Sequence, residues 1–257
     1  MKRLLGVALA ALLTLGGTSF AQEKMKVRIG VEGAYPPFSS VDPSGQVVGF
    51  DIDIANALCT AMNADCKLVQ QDWDGIIPAL LAKKYDAIIA SMSITEERKK
   101  TVDFTNKYYQ TPAQFVAKKG SGIEITKEGL AGKKVGVQRA TTHDAFVTAK
   151  FGDTVEVVRY GTADEANLDL VAGRIDLRLD DIVALDQGLL KTDQGKDFEM
   201  VGPPQQDPIF GEGAGIAVRK GDDKLREAFN KAIDQIRADG TYKAIQDKYF
   251  TFDVYGS

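Results

Sequence analysis

Lys26-Val-Arg-Ile-Gly-Val31 is a short, mostly apolar run that predicts a buried strand, and Lys133-Lys-Val-Gly-Val137 repeats its rhythm in the second half of the chain. Tyr85-Asp-Ala-Ile-Ile-Ala-Ser91 and Arg174-Ile-Asp-Leu-Arg-Leu-Asp180 form a second similar pair. Each match is short, but the two pairs occur in the same order. Together they indicate two similar α/β lobes.

Short apolar strands alternate with amphipathic helices along the chain, which is typical of the α/β class. The predicted strands are Val27–Val31, Lys67–Val69, Ala87–Ala90, Lys134–Gln138, Val155–Tyr160 and Ile175–Leu179. The predicted helices are Asp51–Met62, Gly75–Ala82, Thr142–Lys150, Ala163–Ala172, Asp181–Leu190 and Tyr242–Tyr249, with an amphipathic helix from Leu225 that ends at Gly240. Ser93-Ile-Thr-Glu96 fits a capping box, so a further short helix should start at Ser93 and include Arg98.

No low-complexity linker separates the two lobes. We therefore expect strands within Tyr109–Val116 and Phe210–Val218 to cross between them and to form a hinge. This places lobe 1 at residues 22–110 and 212–257 and lobe 2 at residues 111–211. The crossings fall near residues 110–114 and 206–214.

The first residues indicate export. Lys2 and Arg3 precede the apolar stretch Leu4–Leu15, and small residues follow as far as Ala21. This pattern predicts a signal peptide over residues 1–21, because the apolar run is too short to span a membrane. We expect a periplasmic protein.

Cys59 and Cys66 are the two cysteines of the chain. Their spacing lacks the Cys-x-x-Cys form of redox and zinc sites, and an exported protein meets an oxidising compartment. We therefore expect a structural disulfide that closes a helix-to-strand turn.

The composition disfavours nucleic-acid binding and catalysis. Thirty-two basic and 36 acidic residues are interspersed, so no basic stripe is present. His143 is the one histidine, which excludes a histidine-rich metal site, and no nucleophile elbow or phosphate loop occurs. Asp180 and Asp181 are adjacent at a strand end and should point apart; helix capping and ligand contact by one of them remain open. We expect no metal and no cofactor.

Several segments resemble the periplasmic lysine/arginine/ornithine- and histidine-binding proteins of ABC importers. The resemblance covers essentially the whole chain after the signal peptide, and the motif order is the same. The matching segments are Arg28-Ile-Gly-Val-Glu-Gly-Ala-Tyr-Pro-Pro-Phe-Ser39, Gly49-Phe-Asp-Ile-Asp53, Asp86-Ala-Ile-Ile-Ala-Ser-Met-Ser-Ile-Thr-Glu-Glu-Arg98, Gly132-Lys-Lys-Val-Gly-Val137, Ala172-Gly-Arg-Ile-Asp176 and Asp239-Gly-Thr-Tyr242. The cysteine pair also lies where that family has its small disulfide.

The resemblance implies a type II periplasmic-binding-protein fold: two α/β lobes, joined by a two-strand hinge, that close around one ligand. It implies a monomeric binding protein without enzymatic activity, which delivers a cationic L-amino acid to a membrane permease. Arginine would be preferred over ornithine, lysine and histidine.

By the same resemblance, Arg98 binds the α-carboxylate of the ligand, for which a guanidinium fork is well suited. Backbone N–H groups near Ser93 and Thr142 would assist it, and Thr141 would cap a helix or touch the ligand. Asp181 would bind the α-ammonium from the opposite lobe. The Ser91-Met92-Ser93 loop would supply oxygens from the lobe of Arg98.

Glu32 matches the acidic position that receives the cationic end of the ligand side chain, where the family typically has aspartate. Tyr35 and Trp73 match the aromatic pair that sandwiches that side chain, and tryptophan is the strongest cation–π partner.

The sequence departs from the lysine-binder pattern at several positions. Ala90 replaces a serine, Gln138 replaces an apolar residue, and Arg139-Ala140 replaces a Gln-Gly-type step. His143 matches a glutamine that can line the side-chain pocket; it should be neutral if it lines the site. These changes weaken the case for lysine, and His143 favours arginine slightly.

Two other function classes stay open at this point. Some proteins of this fold are dehydratases, which would need Glu32 or His143 as a general acid. A ligand sensor that docks on a membrane receptor is another possibility. Opines are possible ligands too, and a pocket that admits their extra carboxylate would distinguish them.

Overall fold

The structure is a computed structural model that describes residues 24–256. The predicted signal peptide, residues 1–21, lies outside the described residues. Within that range no helix is both long and apolar enough to cross a membrane.

Two five-stranded sheets form the framework, and each is covered by helices. In spatial order, the first sheet contains β5 (Asp65–Gln70), β1 (Lys26–Val31), β6 (Ala87–Ile88), β13 (Ala214–Arg219) and β7 (Val102–Tyr109). The second contains β10 (Glu156–Tyr160), β9 (Lys134–Gln138), β11 (Leu177–Asp181), β8 (Ala113–Lys118) and β12 (Phe198–Gln205). We name the parts built around them lobe 1 and lobe 2.

The two sheets have the same plan. In each sheet, three parallel strands lie side by side. The fourth strand, β13 or β8, is antiparallel to both of its neighbours, and it follows a passage of the chain from the other lobe. β1 and β9, which carry the first repeated segment, occupy the same position in their sheets. So do β6 and β11, which carry the second. The sequence repeats therefore mark equivalent strands.

The helices and short strands complete the lobes. The helices are α1 (Phe50–Ala61), α2 (Ile76–Leu81), α3 (Glu96–Lys99), α4 (Thr142–Phe151), α5 (Ala163–Val171), α6 (Ile182–Leu185), α7 (Asp223–Ala238) and α8 (Thr241–Tyr249). A small antiparallel sheet joins β2 (Ala34–Tyr35), β3 (Ser39–Val41) and β4 (Val47–Val48). α7 buries Leu225, Phe229, Ala232, Ile233 and Ile236 against lobe 1, and Gly240 follows its end in the left-handed conformation.

The chain passes between the sheets twice. β7 in lobe 1 leads into β8 in lobe 2 through residues 110–112, and β12 returns to β13 through residues 206–213. The ends of β1, β6, β9 and β11 consequently face each other across a cleft.

Two predicted elements of lobe 2 differ clearly from the structure. Ile175–Leu179 was the expected strand, but β11 begins two residues later and includes both aspartates. Its pairing with β8 extends to Asp181, and this moves the strand end toward the cleft. The long helix expected over Asp181–Leu190 is α6 followed by a π-helical turn, Asp186–Leu190.

Cys59 and Cys66 form the predicted disulfide, with an S–S distance of 2.00 Å. It joins the last turn of α1 to the start of β5, so the prediction of a linked helix-to-strand turn is confirmed.

Candidate functional site

Two adjoining cavities lie between the lobes, at the carboxyl ends of β1, β6, β9 and β11. Open α/β sheets commonly bind ligands at this edge. The larger cavity has a volume of about 520 Å³ and the smaller about 30 Å³. Five predicted site residues line both of them: Tyr35, Ser91, Ser93, Thr142 and His143.

Arg98 reaches the smaller cavity from α3. This helix begins two residues later than the capping box predicts: Thr95, not Ser93, is the N-cap, and its hydroxyl accepts a hydrogen bond from the N–H of Arg98 (3.2 Å). Because Ser93 is released from capping, its carbonyl is free to accept a hydrogen bond from the Arg98 guanidinium (2.9 Å).

The guanidinium of Arg98 has carbonyl partners but no carboxylate partner. Besides Ser93 it contacts Ala140 of lobe 2 (Nη2 to O, 3.2 Å), and it lies 5.2 Å from the ring centroid of Trp73. Burial lowers the pKa of Arg98 to about 10. No Asp or Glu within residues 24–256 forms an ion pair with it. The site therefore contains an uncompensated cation that is suited to a ligand carboxylate.

Asp181 is an uncompensated carboxylate on the facing lobe. It caps α6 by accepting hydrogen bonds from the N–H groups of Val183 (2.8 Å) and Ala184 (3.3 Å), and it also accepts one from the Thr111 hydroxyl. Burial raises the pKa of Asp181 to about 7, and in the described part of the chain no cationic side chain pairs with it. Capping and an open ligand-facing position are thus combined in one residue.

Glu32 is the second uncompensated carboxylate. It follows β1, is 5% exposed, and accepts a hydrogen bond from Gln138 Nε2 of lobe 2 (2.7 Å). Burial raises the pKa of Glu32 to about 7, and the hydrogen bond from Gln138 opposes this shift. A ligand cation beside Glu32 would relieve the cost of its burial.

Tyr35 and Trp73 flank the smaller cavity, as predicted for an aromatic pair, and both are 9% exposed. The hydroxyl of Tyr35 donates to Asp180 Oδ1 of lobe 2 (2.7 Å). The indole N–H of Trp73 points to the carbonyl of Ala140, at 3.4 Å. Both rings therefore lie against lobe 2 as well as against the cavity.

The N-terminus of α4 faces the cleft. Thr141 is its N-cap, with its hydroxyl accepting from the N–H of Asp144 (3.2 Å) and donating to the carbonyl of Gln138 (2.7 Å). The N–H of Thr142 belongs to the first turn, where helical N–H groups lack partners within the helix. This end of α4 is suited to a ligand carboxylate near Arg98.

His143 lines both cavities, and its burial favours the neutral imidazole. Burial lowers the pKa of its imidazole, although Asp180 Oδ1 lies 3.4 Å from Nδ1 and opposes the shift. Its ring packs near Phe210, with centroids 5.8 Å apart.

Met92 differs from the other predicted site residues. It is fully buried among apolar side chains of lobe 1 and lines neither cavity. Its neighbours Ser91 and Ser93 do face the cleft. Met92 therefore anchors the loop by packing into lobe 1. Its carbonyl also accepts a hydrogen bond from the N–H of Gly215 (3.0 Å).

The charges that line the two cavities form a simple set. Asp180 is paired with Arg178, and Asp207 with Lys150 (2.7 Å). Among the described residues, one cation, Arg98, and two carboxylates, Glu32 and Asp181, have no partner of opposite charge. Within the described range no cluster of three or more His, Cys, Asp or Glu side chains could hold a metal ion.

A family model described as bacterial extracellular solute-binding proteins, family 3, matches residues 27–252. The chain belongs to this family.

Relatives of this solute-binding protein agree in length and fold. It is 56% identical to the L-arginine-binding protein of Pseudomonas aeruginosa and 44% identical to the histidine-binding periplasmic protein of Escherichia coli, over 100% of each chain. A solved structure of an ancestral arginine-binding protein bound to arginine matches with a TM-score of 0.82 and 38% identity, covering 89% of this chain and 100% of that one. The predicted two-lobe α/β fold is confirmed, and these relatives are binding proteins.

Asp51 is a residue of this solute-binding protein that the sequence interpretation left out. We expected it only to start a helix, and it does lie in the first turn of α1. Its buried carboxylate also accepts hydrogen bonds from the hydroxyls of Ser91 (3.0 Å) and Tyr108 (2.9 Å). It thereby holds Ser91, whose backbone has a positive φ of 51°.

Proposed function

We propose that this protein captures a cationic L-amino acid outside the cytoplasmic membrane, with arginine preferred over ornithine, lysine and histidine, and delivers it to the permease of an ABC importer. The observation that carries the proposal is the set of unpaired charges in the cleft: one cation and two carboxylates. A cationic amino acid presents the complementary set, one carboxylate and two cations.

Each charge has a partner in the proposed complex. The α-carboxylate binds Arg98 and the N-terminus of α4, and the α-ammonium binds Asp181. The side-chain cation binds Glu32, between the rings of Tyr35 and Trp73. A neutral side chain would leave the buried Glu32 without a cationic partner, which costs more than the loss of the attraction alone.

Arginine fits this arrangement better than a shorter or more compact cation. Its planar guanidinium can stack on Trp73 while it donates to a carboxylate, and both contacts favour arginine over lysine. The names of the relatives, which include an L-arginine-binding and a histidine-binding protein, support a cationic amino acid.

Ligand binding is coupled to closure, because Arg98 and Glu32 belong to lobe 1 and Asp181 belongs to lobe 2. A ligand that contacts all three stabilises only the closed state. We propose residues 22–110 with 212–257 and residues 111–211 as the two moving lobes, and the crossings near 110–114 and 206–214 as the hinge. The protein would act as a monomer in the periplasm.

The charge set disfavours opines, which carry a further carboxylate. Among the described residues that line the cavities, Arg98 is the only arginine or lysine, and it is already assigned to the α-carboxylate.

Calorimetric titration of ligand-stripped, refolded protein tests the proposal. Arginine should bind most tightly, with ornithine, lysine and histidine weaker, and glutamine and octopine should bind weakly or not at all. Octopine or glutamine binding more tightly than every cationic amino acid would overturn it.

A further inference from the structure

A buried ion pair lies directly behind the cavity wall of lobe 2. Arg178 and Asp180 are two residues apart on β11 and therefore project from the same face of the strand. Their side chains are 1% and 3% exposed, and the guanidinium bonds both Asp180 Oδ2 and the amide oxygen of Asn167. A carboxylate buried so deeply stays ionised because this partner compensates its charge.

The second oxygen of Asp180 faces lobe 1. Oδ1 accepts the hydroxyl of Tyr35 at 2.7 Å, the N–H of Asp181 at 2.8 Å, and lies 3.4 Å from His143 Nδ1. Oδ2 is thus bonded only within lobe 2, whereas Oδ1 has contacts within lobe 2 and also a hydrogen bond across the cleft. Since Tyr35 belongs to lobe 1, its bond to Asp180 exists only when the lobes are closed.

Tyr35 reaches this bond from a rigid position. Its ring stacks on Phe38 with centroids 5.5 Å apart, and Phe38 is fully buried and stacks in turn on Tyr109. The ring therefore has little freedom to follow Asp180, and the hydroxyl meets the carboxylate only at one lobe separation. A hydroxyl that donates to a carboxylate forms a charge-assisted bond.

We propose that Asp180, oriented by Arg178, is a positioning residue for the ligand: it accepts the Tyr35 hydroxyl on closure and so locks the tyrosine ring over the ligand side chain. This inference rests on the proposed function. The Arg178–Asp180 pair then helps to retain the bound ligand, whereas Glu32 selects for a positively charged ligand side chain.

The test is a double-mutant cycle between the hydroxyl and its acceptor. Tyr35→Phe removes only the donor, and Arg178→Met/Asp180→Ala removes the acceptor without leaving a lone buried charge. In the native background Tyr35→Phe should weaken arginine binding roughly 10- to 100-fold, the range for a hydrogen bond to a charged group. In the pair-deleted background the same change should cost less than about 3-fold.

The kinetic readout separates a lock from a general structural role. Trp73 is the single tryptophan of the chain and lines the cavity, so its fluorescence reports binding without a label. Because this contact is made only on closure, its loss in Tyr35→Phe should raise the dissociation rate of arginine and leave the association rate nearly unchanged. Tyr85→Phe is the matched control, because Tyr85 is a buried tyrosine of lobe 1 that bonds the carbonyl of Ile76 (2.5 Å) and lines neither cavity.

An equal loss from Tyr35→Phe in both backgrounds, or no loss in the native background, would overturn the inference. If circular dichroism shows that the pair-deleted variant does not fold, Asp180→Asn replaces it. Its amide oxygen still accepts a hydrogen bond but carries no charge, so Tyr35→Phe should reduce arginine affinity less in this background than in the native protein. Native protein that fails to bind arginine overturns the proposed function itself. Tight native binding with an unaffected Tyr35→Phe overturns only the role of Asp180.

Discussion

Gln138 of lobe 2 donates a hydrogen bond of 2.7 Å to the carboxylate of Glu32 in lobe 1. The same amide group donates to the carbonyl of Gly161 (3.1 Å), so its orientation is set within lobe 2. An apolar residue at this position would leave Glu32 with no polar partner among the described residues. Gln138, which stands where the family has an apolar residue, therefore supplies a hydrogen-bond donor to the acidic group that faces the ligand.

Glu32→Gln is expected to change ligand selectivity. The variant keeps the size of the side chain but removes the charge that faces the ligand cation, so arginine affinity should fall by about 100-fold. Glutamine affinity should rise, because the variant no longer buries an unpaired charge beside a neutral ligand side chain. Titration calorimetry with both ligands measures the ratio. Equal losses of affinity for both ligands would show that Glu32 maintains the fold and does not select for the ligand charge.

Arg98→Ala should abolish tight binding of every amino acid, because all share the α-carboxylate. Removing one partner of a buried charge pair costs roughly 2–5 kcal/mol, which corresponds to about 30-fold or more in affinity. Lys100→Ala is the control, since Lys100 is exposed on the same segment and its ion pair among the described residues is with Glu97 at the surface. Retained binding in Arg98→Ala would contradict the assignment of the carboxylate site.

Arginine affinity should rise with pH and level off above about pH 7. The pKa values of Glu32 and Asp181 are both raised to about 7 in the ligand-free protein. Below that pH their protons must leave before two ligand cations can pair with them, which costs up to about tenfold in affinity per pH unit for each proton. Burial lowers the pKa of His143, and the charge of Arg178 holds the pKa of Asp180 below its usual value despite burial, so neither group is expected to add to the slope near pH 7.

Calorimetry at pH 6 in two buffers of different ionisation enthalpy counts the released protons. Glu32→Gln should remove about half of the pH slope, because one of the two groups no longer titrates. An affinity that is constant from pH 5 to pH 8 would exclude this linkage.

Replacing Cys59 and Cys66 with serine should lower the free energy of unfolding and leave arginine affinity unchanged. The disulfide closes a loop of seven residues' separation, for which the chain-entropy estimate is about 2–3 kcal/mol. Urea unfolding of the ligand-free protein measures the loss. The affinity should not change because the bridge lies at the far end of α1 from the cleft. A large loss of affinity with unchanged stability would reverse this interpretation.

Much of the fold was predictable because its signals are local. The repeated strand segments, the apolar face of α7 and Gly240 after its end each follow from spacing along the chain. Glu32, Arg98 and Asp181 were found through the resemblance; from the residues alone, Arg98 is a helix arginine among other charges. What the structure adds is that none of the three forms an ion pair with another described residue.

Contacts between distant segments were not predictable in the same way. Asp51 and Ser91 are 40 positions apart, and no pattern in the chain indicates their hydrogen bond. The pair of Arg178 and Asp180 did carry a signal: charged residues alternate with Leu177 and Leu179, so both charges lie on one face of the strand. Such alternation is typical of a strand with one solvated face, whereas helix α5 covers this face through Asn167.

In the proposed complex the cleft pairs two ligand cations, one more than a neutral amino acid supplies. Citrulline has almost the shape of arginine but no side-chain charge, so it isolates that claim. Titration of refolded, ligand-stripped protein with both ligands should give an arginine affinity at least about 100-fold higher than that of citrulline. Equal affinities, or tighter binding of citrulline, would contradict the account.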